Sequence, residues 1–245
     1  MLIVANWKAY VDTKEKAKKL FATAKRLSGK VDIVLAMPYP YIGMCAGGPK
    51  TKVALAAQDV SISTGGATTG EVTAGLLAEL GARYVIIGHS ERRAMGETDE
   101  LIFEKVQRAL AHNLIPILCV GERERDMDAQ YLSGIRAQLA AVFSHLSQKE
   151  RLSMIVAYEP IWAIGKTAAD SIQSVELEEM ILYIRKVLSD YLPGKSAQKV
   201  PILYGGSIEP SNARALAGGS GVDGFLVGHA SVDAPTFTAL VKAVS

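Results

Sequence analysis

Residues 154–165 read Met-Ile-Val-Ala-Tyr-Glu-Pro-Ile-Trp-Ala-Ile-Gly. Residues 154–158 are apolar without the alternation of a half-exposed strand, and a carboxylate, Glu159, then stands against Pro160. A run of this kind fits a strand covered on both faces, as in a parallel sheet. Pro160 biases Glu159 towards extended backbone, so the carboxylate is expected to point over the strand end. The same pattern recurs in LIVAN (2–6), DIVLAM (32–37), VALAA (53–57), YVIIG (84–88), IPILCV (115–120), VPILY (200–204) and GFLVG (224–228), which makes eight strands. Helical periodicity lies between most of them, at 12–28, 72–81, 98–112, 128–146, 174–191, 211–217 and 234–244, while GGPK interrupts the segment after the second strand at 47–50.

Strand and helix alternating eight times without a linker predict one α/β domain over 1–245 with an all-parallel sheet. Such units lie open as a doubly wound sheet or close into a (β/α)8 barrel. An open sheet gathers its chemistry at one switch point, whereas a barrel distributes it over the ends of several strands. Here the unusual residues follow the first, fourth, sixth, seventh and eighth strands: Asn6 and Lys8, His89, Glu159, Gly205 with Gly206, and Gly228. That spread favours closure.

Composition removes whole classes of function. Lys plus Arg number 27 against 25 Asp plus Glu, a balance that provides no general attraction for nucleic acid or an anionic membrane. The local basic stretch from Lys14 to Arg26 carries an apolar stripe of Leu20, Phe21, Ala24 and Leu27, and reads as a solvated helix face. No apolar run approaches the roughly 20 residues that span a bilayer, and the N-terminus lacks the features of a signal peptide. Cys45 and Cys119 lie far apart, which suits a reduced, cytoplasmic setting. Residues 219–224 spell GSGVDG but follow a helix and precede a strand, the reverse of a dinucleotide fingerprint. Gly165-Lys166-Thr167 and Gly194-Lys195-Ser196 lack the first glycine of a phosphate-binding P-loop, and no metal-ligand motif occurs among four histidines and two cysteines. Neither a metal nor a cofactor is expected.

Each chemically interesting residue has a bland reading beside the sharp one. Glu159 is either a carboxylate paired with a surface cation or a base beneath the apolar loop Ile161 to Gly165, which reads as a lid over roughly 160–168. His89, in GHSERR, either bonds nearby backbone or sits at the start of a helix at Ser90, where the helix dipole disfavours a positive charge and keeps the imidazole neutral. Lys8 is either an exposed lysine or a fixed charge beside Asn6, with Glu91 to orient it. The Gly205-Gly206-Ser207 and Gly228-His229 loops are tight turns taken singly; taken together, after the last two strands, they read as a phosphate site.

NWK near the N-terminus, GHSERR, LCVGE, AYEPIWAIG, YGGSI and DGFLVG occur in this order over essentially the whole chain, and with them the sequence resembles the triosephosphate isomerase family. The resemblance implies a TIM barrel that interconverts dihydroxyacetone phosphate and glyceraldehyde 3-phosphate without cofactor or metal. It implies Glu159 as base, neutral His89 as electrophile and Lys8 with Asn6 as charge stabilisers. Gly165, Ser207, Gly228 and His229 would hold the phosphate through their backbone, Tyr204 and Ser207 would latch the lid, and Cys119 would be a buried neighbour of the base. A homodimer is implied too: the loop 61–73 would enter the partner subunit, with Thr69 reaching Asn6 and Lys8 and with Ala9 near the receiving pocket.

The chain departs from the family pattern in three places. Where the family lid usually reads AIGTGKTA, Ala163-Ile164-Gly165 runs directly into Lys166-Thr167-Ala168, two residues fewer. His229 occupies a position usually held by glycine, and Tyr10 one commonly held by Asn. Two other readings stay open at this point: a different phosphate-binding barrel such as a sugar-phosphate epimerase, and a homologue that binds phosphorylated metabolites without turning them over.

Overall fold

The computed structural model describes residues 1–46, 51–165 and 172–245. Eight parallel strands close into a barrel in sequence order: β1 (Leu2–Asn6), β2 (Asp32–Met37), β3 (Ala54–Ala57), β4 (Tyr84–Ile87), β5 (Ile115–Val120), β6 (Ile155–Tyr158), β7 (Ile202–Tyr204) and β8 (Gly224–Val227). The last strand returns to the first with Leu2 opposite Gly224. Glycine is required at that seam, because a Cβ on residue 224 would lie 1.9 Å from the Leu2 carbonyl oxygen. Around the barrel run α1 (Lys14–Leu27), α2 (Tyr39–Ala46), α3 (Ala74–Glu79), α4 (Ser90–Ala94), α5 (Asp99–Ala111), α6 (Gln130–Phe143), α7 (Gln148–Leu152), α8 (Ser174–Ser189), α9 (Ala213–Gly219) and α10 (Ala234–Ala243).

The expected strands are all present, and the edges that differ have local causes. Residues 200–204 shorten to Ile202–Tyr204 because Pro201 has no N–H to give the ladder, although its carbonyl still accepts from Val156. The helix expected from 128 starts at Gln130, since Ala129 is left-handed at φ 56° and the Asp126 carboxylate caps the N–H groups of Gln130 and Tyr131. The segment after β2 does form a helix, Tyr39–Ala46; the interrupting GGPK at 47–50 lies outside the described residues. Helix α1 buries Ala17, Leu20, Ala24 and Leu27 and turns its lysines outward, with Lys25 and Arg26 in its last turn, where the dipole favours cations. No helix among the described residues is long and apolar enough to cross a membrane.

Two apolar layers fill the molecule. Side chains on the outer face of the strands pack under the helices, whereas a second cluster fills the barrel interior with Val4, Val34, Ala36, Ile86, Ile117, Cys119, Ile155, Ala157, Leu203 and Leu226. Strand side chains alternate between these layers. The inward series Ile155 and Ala157 therefore continues to Glu159, and that of Val4 continues to Asn6. The interior is a packed plug whose upper layer, at the C-terminal rim, is polar.

Candidate active site

At that rim, the backbone N–H of Glu159 donates to Val120 at 2.8 Å, which carries the β5–β6 pairing one residue past the strand. Gly121 makes this possible: a Cβ there would fall 1.9 Å from the Glu159 carbonyl oxygen. The Glu159 side chain is 3% exposed. Its Oε2 accepts from the Ser90 N–H at 3.0 Å, and its Oε1 lies 3.2 Å from His89 Nε2.

His89 caps α4, as the sequence suggested for a helix beginning at Ser90. Its Nδ1 accepts from the Glu91 N–H at 3.2 Å. An acceptor role for Nδ1 leaves the ring proton on Nε2, the nitrogen that faces Glu159 and the cavity. A backbone N–H thus selects the tautomer. Cys119 is buried beside this pair; burial first, and then the Glu159 carboxylate, push its thiol well above the ordinary range, so it is a protonated packing residue.

Lys8 stands on the β1 loop with φ 45°, a left-handed conformation that costs a side-chain-bearing residue about 1–2 kcal/mol. Surrounding hydrogen bonds hold it there. Asn6 Oδ1 accepts from the Lys8 N–H at 3.0 Å, and the Gln58 amide donates to the carbonyls of Lys8 and Ala36, each at 3.0 Å. The resulting direction sends Lys8 Nζ to Glu91 Oε1 at 2.7 Å. Asn6, Lys8, His89, Glu91 and Glu159 are thereby gathered from three loops onto one cavity of about 450 Å³.

The opposite wall of the same cavity is mostly backbone. Gly205, Gly206 and Ser207 follow β7, and Gly228, His229 and Ala230 follow β8 and enter the helical turn His229–Ser231. Gly165, at φ 72°, reaches the rim from the β6 loop. Tyr204 lies fully buried under Gly206, and its hydroxyl is pushed up by burial. The remainder of the expected lid, 166–168, lies outside the described residues.

One cluster is absent from the sequence reading. Ile161–Ala163 forms a turn of 3-10 helix rather than a free loop, and Trp162 Nε1 donates to Glu122 Oε1 at 2.9 Å. The same oxygen accepts from the Tyr158 hydroxyl at 2.8 Å, while the Glu122 carbonyl accepts the Ile161 N–H at 2.9 Å. Arg125 completes the cluster, its guanidinium 4.9 Å from the Trp162 ring centre and 3.2 Å from Glu122. Glu122 closes the LCVGE motif, whose final carboxylate after an apolar strand was the available signal. A second buried group, Lys105 with Asp59 at 2.7 Å and Glu97, lies under the β3 and β4 loops and likewise escaped notice.

The loop 61–73 stands out from the barrel. Its ends are tied by the Ser61 N–H to the Val72 carbonyl at 3.0 Å, and its apex is closed by Ser63 with Thr68 at 2.8 Å; Thr69 is exposed. Beside the active-site cavity, a second hollow of about 440 Å³ opens between Ala9, Val11, Tyr39 and Gln58. Among the described residues, no three His, Cys, Asp or Glu side chains are placed to hold a metal ion.

Comparison with known proteins gives a single answer. The family model described as Triosephosphate isomerase matches residues 1–244. Among similar proteins, the triosephosphate isomerase of Alkalilimnicola ehrlichii is 43% identical over 216 residues, covering 87% of this chain and 86% of that protein. That of Symbiobacterium thermophilum is 38% identical over 249 residues, covering 100% and 96%, and that of Herminiimonas arsenicoxydans is 40% identical over 252 residues, covering 99% and 98%.

Proposed function

The chain belongs to the triosephosphate isomerase family, and from that premise we propose that it interconverts dihydroxyacetone phosphate and glyceraldehyde 3-phosphate through an enediolate, with Glu159 as the base. The observation that carries the assignment is the buried Glu159–His89 pair, 3.2 Å apart at the floor of the cavity. Glu159 takes the proton from the carbon beside the carbonyl and returns it to the neighbouring carbon, so the carboxylate is regenerated in each turnover. For this it must leave the Ser90 N–H that now holds its Oε2. His89 offers its Nε2 proton to the carbonyl oxygen as negative charge develops there. Because the ring is neutral before it donates, it can shuttle a proton between the two oxygens of the enediolate. Lys8, directed by Glu91 and the Asn6 turn, adds fixed positive charge on the same side.

Gly165, Ser207, Gly228 and His229 offer backbone N–H groups to the phosphate, and a lid over 160–168, latched by Tyr204 and Ser207, closes over it. Binding energy from the phosphate serves that closure and is expressed at the reacting carbons. Holding the phosphate and the enediolate in place under the lid then protects the intermediate from expelling its phosphate. No cofactor takes part in these steps. The loop 61–73 is proposed to dock in the hollow beside Ala9 of a partner subunit and bring Thr69 towards Asn6 and Lys8, so that a cytoplasmic homodimer is the working form.

A coupled assay on glyceraldehyde 3-phosphate tests the base. Glu159→Gln is expected to lower kcat by about 10²- to 10⁴-fold, and turnover equal to wild type would refute the assignment. Sedimentation at micromolar concentration tests the assembly: twice the 26.2 kDa chain mass is expected, and a mass near one chain refutes it.

A further inference from the structure

Charge in the cavity is poorly matched to a dianion. Among the described lining residues, Lys8 is the one fixed cation, set against the carboxylates of Glu91, Glu159 and Glu209, which leaves a net charge of −2 with both histidines neutral. Lys8 is moreover already paired with Glu91 at 2.7 Å. A ligand bearing two negative charges gains most from a cation that is not already neutralised. We infer that His229 supplies it: the protonated imidazole is a binding group for the substrate's phosphate, positioned by Tyr10, so that affinity for dianions rises as pH falls. The inference rests on the reading of the β7 and β8 loops as the phosphate end of the site.

Both residues stand on fixed backbone. The Tyr10 N–H donates to the Trp7 carbonyl at 3.1 Å, and its own carbonyl accepts from Lys16 Nζ at 2.6 Å. His229 opens a turn closed by the Ser231 N–H and hydroxyl, which donate to the Gly228 carbonyl at 2.9 and 2.7 Å. Between these anchors the two rings meet edge to face, with centroids 6.2 Å apart and planes at 83°. This is the favoured geometry for an aromatic pair, and it holds the imidazole at the rim of the cavity that Lys8, Ser207 and Gly228 also line. Tyr10 is 51% exposed, and its ring contact with His229 joins the β1 loop to the β8 loop.

The charged and aromatic groups around the imidazole come from the β1 loop, the β7 loop and the start of α10. Lys8 and Tyr10 face it from the β1 loop, and Glu209 lies across the cavity on the β7 loop. Asp233, at the start of α10, interacts with it electrostatically and also with Lys19 of α1. The Thr236 hydroxyl and N–H hold the Asp233 carboxyl below its usual range, so it stays ionised beside the imidazole. Histidine is the side chain whose charge ordinarily changes between pH 5 and 8. A glycine at this position would provide the same N–H with no such dependence.

The substrate's own phosphate titrates in that range, so sulfate, a dianion throughout, is the probe. Its competitive inhibition constant is measured near pH 6 and near pH 8, at constant ionic strength, for wild type, His229→Asn, Tyr10→Ala and Tyr10→Phe. Tightening between the two pH values should be about two- to five-fold greater in wild type than in His229→Asn. Tyr10→Ala should lose much of that excess and Tyr10→Phe should keep it, because the ring rather than the hydroxyl is the platform. Equal tightening in wild type and His229→Asn overturns the inference and leaves the phosphate site standing. Sulfate that fails to compete at either pH overturns the phosphate site and the inference together.

Discussion

The two walls of the cavity are made differently. On the β4–β6 wall the working groups are buried side chains: Glu159 and His89 are 3% and 6% exposed, and each is held by a backbone N–H directed at it. On the β7–β8 wall glycine-rich backbone dominates, and its polar side chains are more open: Ser207 and Glu209 are half-buried and His229 is exposed. In the proposed reaction the two walls would handle different kinds of charge. A proton moved to and from carbon creates charge that was absent in the ground state, and stabilising it takes donors and bases fixed in advance in a dry place. A phosphate carries its charge throughout, so in the proposed reading backbone amides that gather as the loop closes would take much of it, with the His229 imidazole beside them.

Paired substitutions break that contrast if it is wrong. His89→Gln should lower kcat by about 10²-fold or more while leaving far-UV circular dichroism unchanged, because the electrophile and proton shuttle are removed from a site with no substitute. Ser207→Ala should raise KM by only about two- to ten-fold, since it deletes one hydroxyl and keeps the N–H. Losses of similar size in steady-state kinetics would show that the walls do not divide the work in this way.

The sequence exposed the first wall more readily than the scaffold beneath it. Each of Asn6, His89 and Glu159 follows an apolar strand directly, so a polar residue at the end of a buried run was signal enough. Closure was legible for a related reason, because unusual residues, polar after three strands and glycine after two, followed five different strands. The base of the β6 loop was not: Trp162 and Glu122 are 40 residues apart and meet only because β5 and β6 are neighbours in the barrel. Lys105 and Asp59, 46 residues apart, share that obstacle, and neither sits in a pattern that distinguishes a buried ion pair from a surface one. Tyr10 and His229 each stood out as unusual, yet their contact joins the first and last strands of the closed ring, and linear spacing carries no trace of it.

The smallest expected effect falls where the walls meet, at the base of the lid. Trp162 gives its indole N–H to Glu122 and lies against Arg125, so the first residues of the loop are tied to the barrel whatever its tip does. Under the proposed closure, a loop two residues shorter in sequence than the family pattern would have less length with which to cover the enediolate, and this tie would set where that length begins. An enediolate that is less well held can expel its phosphate in competition with reprotonation: its electron pair breaks the C–O bond to the phosphate, and the enol left behind tautomerises to methylglyoxal. The wild type is therefore expected to release a measurable fraction of phosphate alongside isomerised product. Trp162→Phe keeps the ring and removes one hydrogen bond, which should lower kcat by only about two- to three-fold while raising the phosphate fraction. Phosphate release measured in the same reactions as isomerisation decides the matter. A negligible fraction in the wild type would mean that the short lid seals as well as a longer one, and an unchanged fraction in Trp162→Phe would mean that the Glu122 tie has no part in the seal.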